Sequence, residues 1–252
     1  MVRVGLLGCG NVAEVVAGKE NGIDIVALYD LDTKRAKYLS EISGAPAFEK
    51  FEDFLACDMD IVVEAASVGA VCANAEAILK SGRDMVILSV GALADPDFKR
   101  KLIKLAEENN CKVRIPSGAV IGLDNLKIGQ ISPMSELKLR TTKNPRSLKL
   151  DVTERTLVFS GRADECIKKF PKNINVAIAL ETAGGRPVEV ELWADPAVTR
   201  NTHEIFAKGD FGDIYMKIEN NPCPQNPATS YLAALSIITL LKNLGKSIII
   251  GT

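Results

Sequence analysis

The sequence contains a single histidine, His203, and a single tryptophan. A zinc centre would have to be assembled from carboxylates or scattered thiols, so no metal site is expected. The six cysteines, at positions 9, 57, 72, 111, 166 and 223, include no CxxC pair. Several fall in apolar runs, where a reduced thiol packs as a small hydrophobe. Neither sign of charge is in excess: 31 Lys and Arg stand against 32 Asp and Glu, for a formal charge of −1. Such a balance argues against nucleic-acid binding through a general basic surface. No apolar run approaches the roughly 20 residues of a membrane span. With no secretory leader evident, a cytoplasmic location is expected. There is no internal repeat and no low-complexity segment.

What is present is ordinary globular composition, 47% hydrophobic and 25% charged over 252 residues. That excludes a disordered chain, a collagen-like chain and a coiled-coil rod. The length suits one large domain or two small ones. Short apolar runs at Val2–Leu7, Asp24–Tyr29, Asp60–Glu64, Asp84–Leu88 and Lys112–Ile115 read as buried parallel strands. Helical stretches at Lys34–Ile42, Ala70–Lys80 and Pro96–Asn109 separate them. The alternation predicts a parallel sheet with right-handed crossovers. After Pro116 the pattern changes. Strands are expected at Leu137–Thr142, Arg155–Ser160, Val188–Ala194, Thr202–Ala207 and Asp213–Ile218, the last two joined by a turn over 208–212. Their partial alternation suggests an antiparallel sheet with one covered face. A proline-rich connection at Asn220–Pro227 precedes an apolar helix over Thr229–Leu244. The fold class expected is α/β: a Rossmann domain over 1–116, completed by a C-terminal helix in 225–252, and a smaller α+β domain over 117–224.

The first strand runs into Gly8-Cys9-Gly10-Asn11-Val12-Ala13, the GxGxxA form of the dinucleotide fingerprint. Gly8 allows the tight turn and Gly10 lets the backbone approach a pyrophosphate. Asn11 and Val12 open the helix whose N-terminus faces that charge, and Ala13 permits close helix–strand packing. Asp30 lies twenty residues past Gly10, at the end of the second strand, where a carboxylate binds ribose hydroxyls. Its charge would repel a 2′-phosphate, which favours NAD; Lys34 and Arg35, one turn further on, leave NADP open. The helix after the fingerprint is short, because Gly18 and Gly22 interrupt it. Two further loops, Ala65-Ala66-Ser67 and Ser89-Val90-Gly91-Ala92, lie at carboxyl ends of strands. Ala66, Ser67 and Gly91 would let a nicotinamide ribose approach the backbone, or serve packing alone.

Four further elements carry a more specific resemblance. Ser117-Gly118-Ala119-Val120-Ile121-Gly122-Leu123-Asp124 resembles the SGAIGGLD element of the L-aspartate dehydrogenase family. Phe170-Pro171-Lys172-Asn173-Ile174-Asn175-Val176-Ala177 is similar to its FPKNLNVA element, and Asn201-Thr202-His203-Glu204-Ile205 to its N-x-HEI element. Asn226-Pro227-Ala228-Thr229-Ser230 and the helix that follows resemble its C-terminal element. The order is the family's and spans nearly the whole chain. One departure is Val120 for isoleucine with Ile121 for glycine, so one glycine of that loop is missing.

The resemblance implies NAD(P)-dependent oxidative deamination of L-aspartate to oxaloacetate and ammonia through iminoaspartate, with a link to NAD synthesis. It implies that Ala119 contacts the cofactor through its main-chain amide, that Asn175 holds the nicotinamide end, and that His203 is catalytic. Elementary chemistry agrees on His203. The protein must activate water against an imine and move protons to and from nitrogen, work that suits an imidazole of pKa near 6.5. The two substrate carboxylates need partners, for which Lys172, Asn173, Thr229 and Ser230 are candidates. Arg140 and Lys143 read equally well as solvated charges. The small second sheet offers a half-exposed face for pairing as a homodimer. The alternatives are another two-domain enzyme, homoserine-dehydrogenase-like or dihydrodipicolinate-reductase-like, and a non-catalytic dinucleotide sensor with no need for His203.

Overall fold

The computed structural model describes residues 2–18, 21–170, 175–223 and 226–251, with the side chains of 168 and 226–229 left out of account. Two compact units divide the chain. One comprises Met1–Gly118 with Ala233–Ile249, the other Ala119–Leu232 with the last three residues.

The first unit strings together β1 (Arg3–Leu7), α1 (Asn11–Val16), β2 (Asp24–Tyr29), α2 (Thr33–Ser43), β3 (Ala47–Phe48), α3 (Phe51–Ala56), β4 (Ile61–Glu64), α4 (Val68–Lys80), β5 (Asp84–Ile87), α5 (Pro96–Glu108) and β6 (Val113–Arg114). The strands are all parallel, in the order β3-β2-β1-β4-β5-β6. The chain reverses its direction of travel across the sheet at β1 and β4, which is where such sheets bind ligands. Val4, Leu6, Ile61, Val62, Val63, Met85, Val86 and Ile87 are buried on both faces, as parallel strands flanked by helices require. Caps fix the helix starts: Asp32 accepts from Lys34 N at 3.0 Å, Ser67 from Ala70 N at 3.1 Å, and Asp95 from Asp97 N at 2.9 Å with Pro96 in the first turn. β3 and α3 were not expected from sequence. Each is only a few residues long, too short to show a period.

The second unit contains α6 (Leu123–Leu126), β7 (Met134–Lys143), α7 (Pro145–Leu148), β8 (Thr156–Arg162), α8 (Ala163–Lys169), α9 (Asn175–Gly184), β9 (Glu189–Ala194), β10 (Asn201–Gly209), β11 (Gly212–Asn220), β12 (Pro222–Cys223) and β13 (Asn226–Ser230). α10 (Tyr231–Asn243) follows. The main sheet has the order β11-β10-β7-β9-β8. It is mixed rather than antiparallel, because β9 lies parallel to β7. Between them the chain makes the edge strand β8 and crosses over through α8 and α9, the length of connection a parallel pair needs. Pairing of β10 with β11 continues to Gly209 and Gly212, so the turn is tighter than 208–212. One sheet face is buried, by Leu137, Leu139, Val190, Leu192, Ile205 and Ala207. Among the described residues no helix is long and apolar enough to cross a membrane.

Candidate active site

In the first unit the fingerprint sits where the sequence places it. Gly8 has a left-handed φ of +98°, and a Cβ there would lie 2.6 Å from Ala66 Cβ and 2.9 Å from Ala65 C. Only glycine lets β1 turn this close to the loop after β4. At Gly10 the position of a Cβ has nothing nearer than Arg35 Nη1, at 3.9 Å. The turn is therefore open on the side where a phosphate would approach. Asn11 begins α1 and Val12 is buried beneath it. Asp30 Oδ2 accepts from Cys9 N at 2.7 Å and its Oδ1 from Asp32 N at 2.8 Å. The carboxylate is thus held against the fingerprint loop. Arg35, although exposed, brings a guanidinium over the same turn, which its position on a helix face did not reveal. Ala66 and Ser67 are exposed at the end of β4, whereas Gly91 is buried in a 3-10 turn over Val90–Ala94. These residues fit a dinucleotide: a glycine cradle, an open helix start, and a carboxylate at the end of β2.

In the second unit the covered sheet face carries the polar cluster. His203 lies in register with Thr141 of β7 on one side and Ile218 of β11 on the other. Its Nδ1 is 3.0 Å from Thr141 Oγ1. Lys143 is two residues beyond Thr141, hence on the same face. His203 is 6% exposed. Burial, and secondarily the positive charge of Lys143, push its pKa down to about 3. The expectation of an imidazole poised near 6.5 is therefore corrected: the ring of the free protein is neutral throughout the neutral range. Burial also lowers Lys143 from the usual lysine value.

Arg140 belongs to the opposite face. Its Nε bonds Glu191 Oε2 at 2.7 Å and its guanidinium stacks 5.5 Å from the centre of the Phe206 ring. Alternation along β7 thus separates two cations that the sequence left equivalent. Ala119 is fixed through its carbonyl, which accepts from Asn220 Nδ2 at 2.9 Å; Asn220 Oδ1 in turn accepts from Ser230 Oγ at 2.8 Å. Asn220, 4% exposed, was missed by sequence reasoning, as was the part of Thr141. Only the every-second-residue pattern of strands pairing out of sequence order brings them in. Asn175 is the first residue of α9. Lys172 and Asn173 lie outside the described residues, and of Thr229 only the backbone, in β13, is described. Ser230 is buried on Asn220, so its hydroxyl is already engaged. Among the described residues no three His, Cys, Asp or Glu side chains gather as metal ligands.

A Rossmann unit with an intact fingerprint, joined to an α+β unit whose sheet buries one histidine, defines a two-domain pyridine-nucleotide dehydrogenase. Comparisons with known proteins narrow the class. Residues 4–116 match the model of the homoserine dehydrogenase NAD-binding domain, and residues 124–244 that of the aspartate dehydrogenase C-terminal domain. An L-aspartate dehydrogenase of Methanospirillum hungatei is 52% identical over 252 residues, covering all of both chains. One from Methanothermobacter thermautotrophicus is 43% identical over 256 residues, covering 100% of this chain and 99% of the relative. The crystal structure of aspartate dehydrogenase from Thermotoga maritima superposes with a TM-score of 0.85 at 32% identity, covering 100% of each chain. The chain belongs to the L-aspartate dehydrogenase family.

Proposed function

We propose that this protein oxidises L-aspartate with a pyridine dinucleotide to iminoaspartate, which water converts to oxaloacetate and ammonia, or which leaves to supply NAD synthesis. The observation that carries the reading is His203, buried beside Thr141 and Lys143 within the Asn201–Ile205 element of a C-terminal aspartate dehydrogenase domain. The cofactor, when bound, accepts the hydride from C2 of aspartate. Gly8, Gly10, Asn11 and Val12 hold its pyrophosphate, Asp30 its adenosine ribose, and Ala66, Ser67, Gly91, Ala119 and Asn175 its nicotinamide half. Asp30 favours NAD; Arg35 above Gly10 supplies a cation that lets NADP be accepted.

His203 Nδ1 is engaged by Thr141, so Nε2 is the atom assigned to proton transfer. It takes a proton from the water that attacks the imine and returns one to the departing nitrogen. A ring held near 3 is too weak a base for this alone. The dicarboxylate substrate corrects that, because its carboxylates bring negative charge beside a ring that burial holds neutral, and offset the smaller effect of the Lys143 charge. Lys143 accordingly serves as a carboxylate partner, with Lys172, Asn173 and Thr229 as further candidates; Ser230 is withdrawn from that set, because its hydroxyl donates to Asn220 Oδ1. Arg140 does not, being committed to Glu191 on the other face. That other face, with Leu157 and Tyr215 exposed among paired charges, is proposed as the homodimer surface, and the cytoplasm as the place of work.

The test is steady-state reduction of NAD and of NADP by a panel of amino acids. L-aspartate should be oxidised at least a hundredfold more efficiently than glutamate, alanine or homoserine, an order-of-magnitude figure for a site built around two carboxylates. Homoserine turnover would support the rival dehydrogenase, and NADH binding without turnover of any amino acid would support a sensor.

A further inference from the structure

β4 ends in a carboxylate that none of the chemistry above employs. Glu64 is 0% exposed and follows the buried run Ile61–Val63. Its Oε1 accepts from Ala66 N at 2.8 Å and from Ser89 Oγ at 2.8 Å, and its Oε2 from Ser89 N at 2.9 Å. All of these partners are neutral. The two amide N–H groups can only donate, so the set suits the ionised carboxylate rather than the acid. Burial pushes the carboxyl up from its ordinary value, and the Ser89 and Ala66 donors oppose the rise. A charge in this position costs stability that an apolar residue would not.

Its location suggests what the charge is for. The bonds to Ala66 and Ser89 tie the loop after β4 to the loop after β5. The first of these loops packs directly on the fingerprint: Ala65 and Ala66 are the atoms that a side chain at Gly8 would strike. Asp30, at the end of β2, marks the adenosine side of the sheet. With the pyrophosphate at the Gly10 turn, the other half of a dinucleotide crosses toward β4 and β5. The nicotinamide ring is cationic when oxidised and neutral when reduced. A buried anion beneath these loops therefore acts on one redox form and not on the other.

We infer that Glu64 is a positioning residue for the nicotinamide half of the cofactor, and that its negative charge makes the protein hold the oxidised nucleotide more tightly relative to the reduced one. This rests on the reading of the first unit as a dinucleotide site. If that reading fails, the wild-type protein binds neither form; if the inference fails, it binds both and the ratio does not respond to Glu64.

The experiment measures dissociation constants of NAD by calorimetry and of NADH by fluorescence on the full chain, with thermal unfolding of each variant alongside. Glu64→Gln removes the charge but sets an amide N–H against a backbone donor; Glu64→Met removes the charge without that conflict; Glu64→Asp keeps the charge. Whichever charge-free variant folds should raise the ratio of the NAD to the NADH constant by roughly three- to thirtyfold, the worth of a unit charge at several ångströms in a protein interior. Glu64→Asp should stay near the wild-type ratio. Ser89→Ala loosens the tie and leaves the charge, so both constants should rise together. Equal weakening of NAD and NADH in the charge-free variants would overturn the inference, as would a ratio shift in Ser89→Ala as large as theirs.

Discussion

On the proposed reading, the first unit makes its nucleotide site from main chain and small residues close together in sequence, whereas the second assembles side chains from strands that are neighbours only in space. Gly8, Gly10 and Ala66 act by what they leave out: a Cβ at Gly8 would collide, and one at Gly10 would stand in the open approach. His203, Thr141, Lys143 and Asn220 act by what they carry, and they reach one face because β7, β10 and β11 pair in a fixed register. The difference extends to the buried titratable groups. Glu64 in the first unit is surrounded by donors, while His203 in the second is held neutral beside a lysine. A site built from backbone tolerates many ligands of one shape. A site built from converging side chains selects one chemistry.

The sharpest way to break this division is His203→Ala. Turnover of aspartate should fall by roughly two to four orders of magnitude, the usual worth of a positioned acid–base group. NADH affinity, read by fluorescence, should stay unchanged; a variant that loses both would make His203 a structural residue. Next in size, Lys143→Met should raise KM for aspartate by roughly ten- to hundredfold, the range for losing a charge-assisted bond, while kcat falls less. Lys143→Arg should restore part of the loss. Because burial lowers Lys143, KM for aspartate should climb with pH sooner than an exposed lysine would allow.

In the first unit, effects should be smaller and confined to the choice of cofactor. Asp30→Ser should improve the use of NADP relative to NAD by roughly two- to fivefold, and Arg35→Ala should reduce it by a similar factor, as exposed charge pairs do. If neither moves the ratio of catalytic efficiencies, the adenosine ribose lies elsewhere. A separate effect, on folding rather than on catalysis, concerns acid stability. The folded pKa of His203 lies below its unfolded value, so the unfolded chain takes up the proton first. Stability should therefore decline as pH falls from about 6.5 toward about 3. His203→Asn should flatten that decline in chemical denaturation measured across the range.

The same contrast governs how much could be read before the structure. The strand–glycine–helix signature and the carboxylate twenty residues on were legible because the Rossmann site is local. The buried state of His203 was not, since it depends on two side chains over sixty residues apart, His203 and Thr141, meeting at 3.0 Å. Arg140 and Lys143 looked alike until alternation along β7 put them on opposite faces. The parallel pairing of β7 with β9 was hidden for a related reason: the crossover through α9 has no local signature distinct from that of any helix. Glu64 carried no signal, because a strand that ends in an acidic residue ordinarily ends in water.

The central claim is that the second unit holds a neutral imidazole which becomes a base when the dicarboxylate arrives. His203 is the only histidine in the chain, so imidazole-labelled protein gives one assignable ring in a nitrogen-15 NMR titration. In the free protein the ring should stay neutral from pH 8 down to about 5, two units above its depressed value. With NADH and succinate bound, the titration should move to higher pH. Free protein that titrates near 6.5, or a midpoint that ignores succinate, would contradict the account.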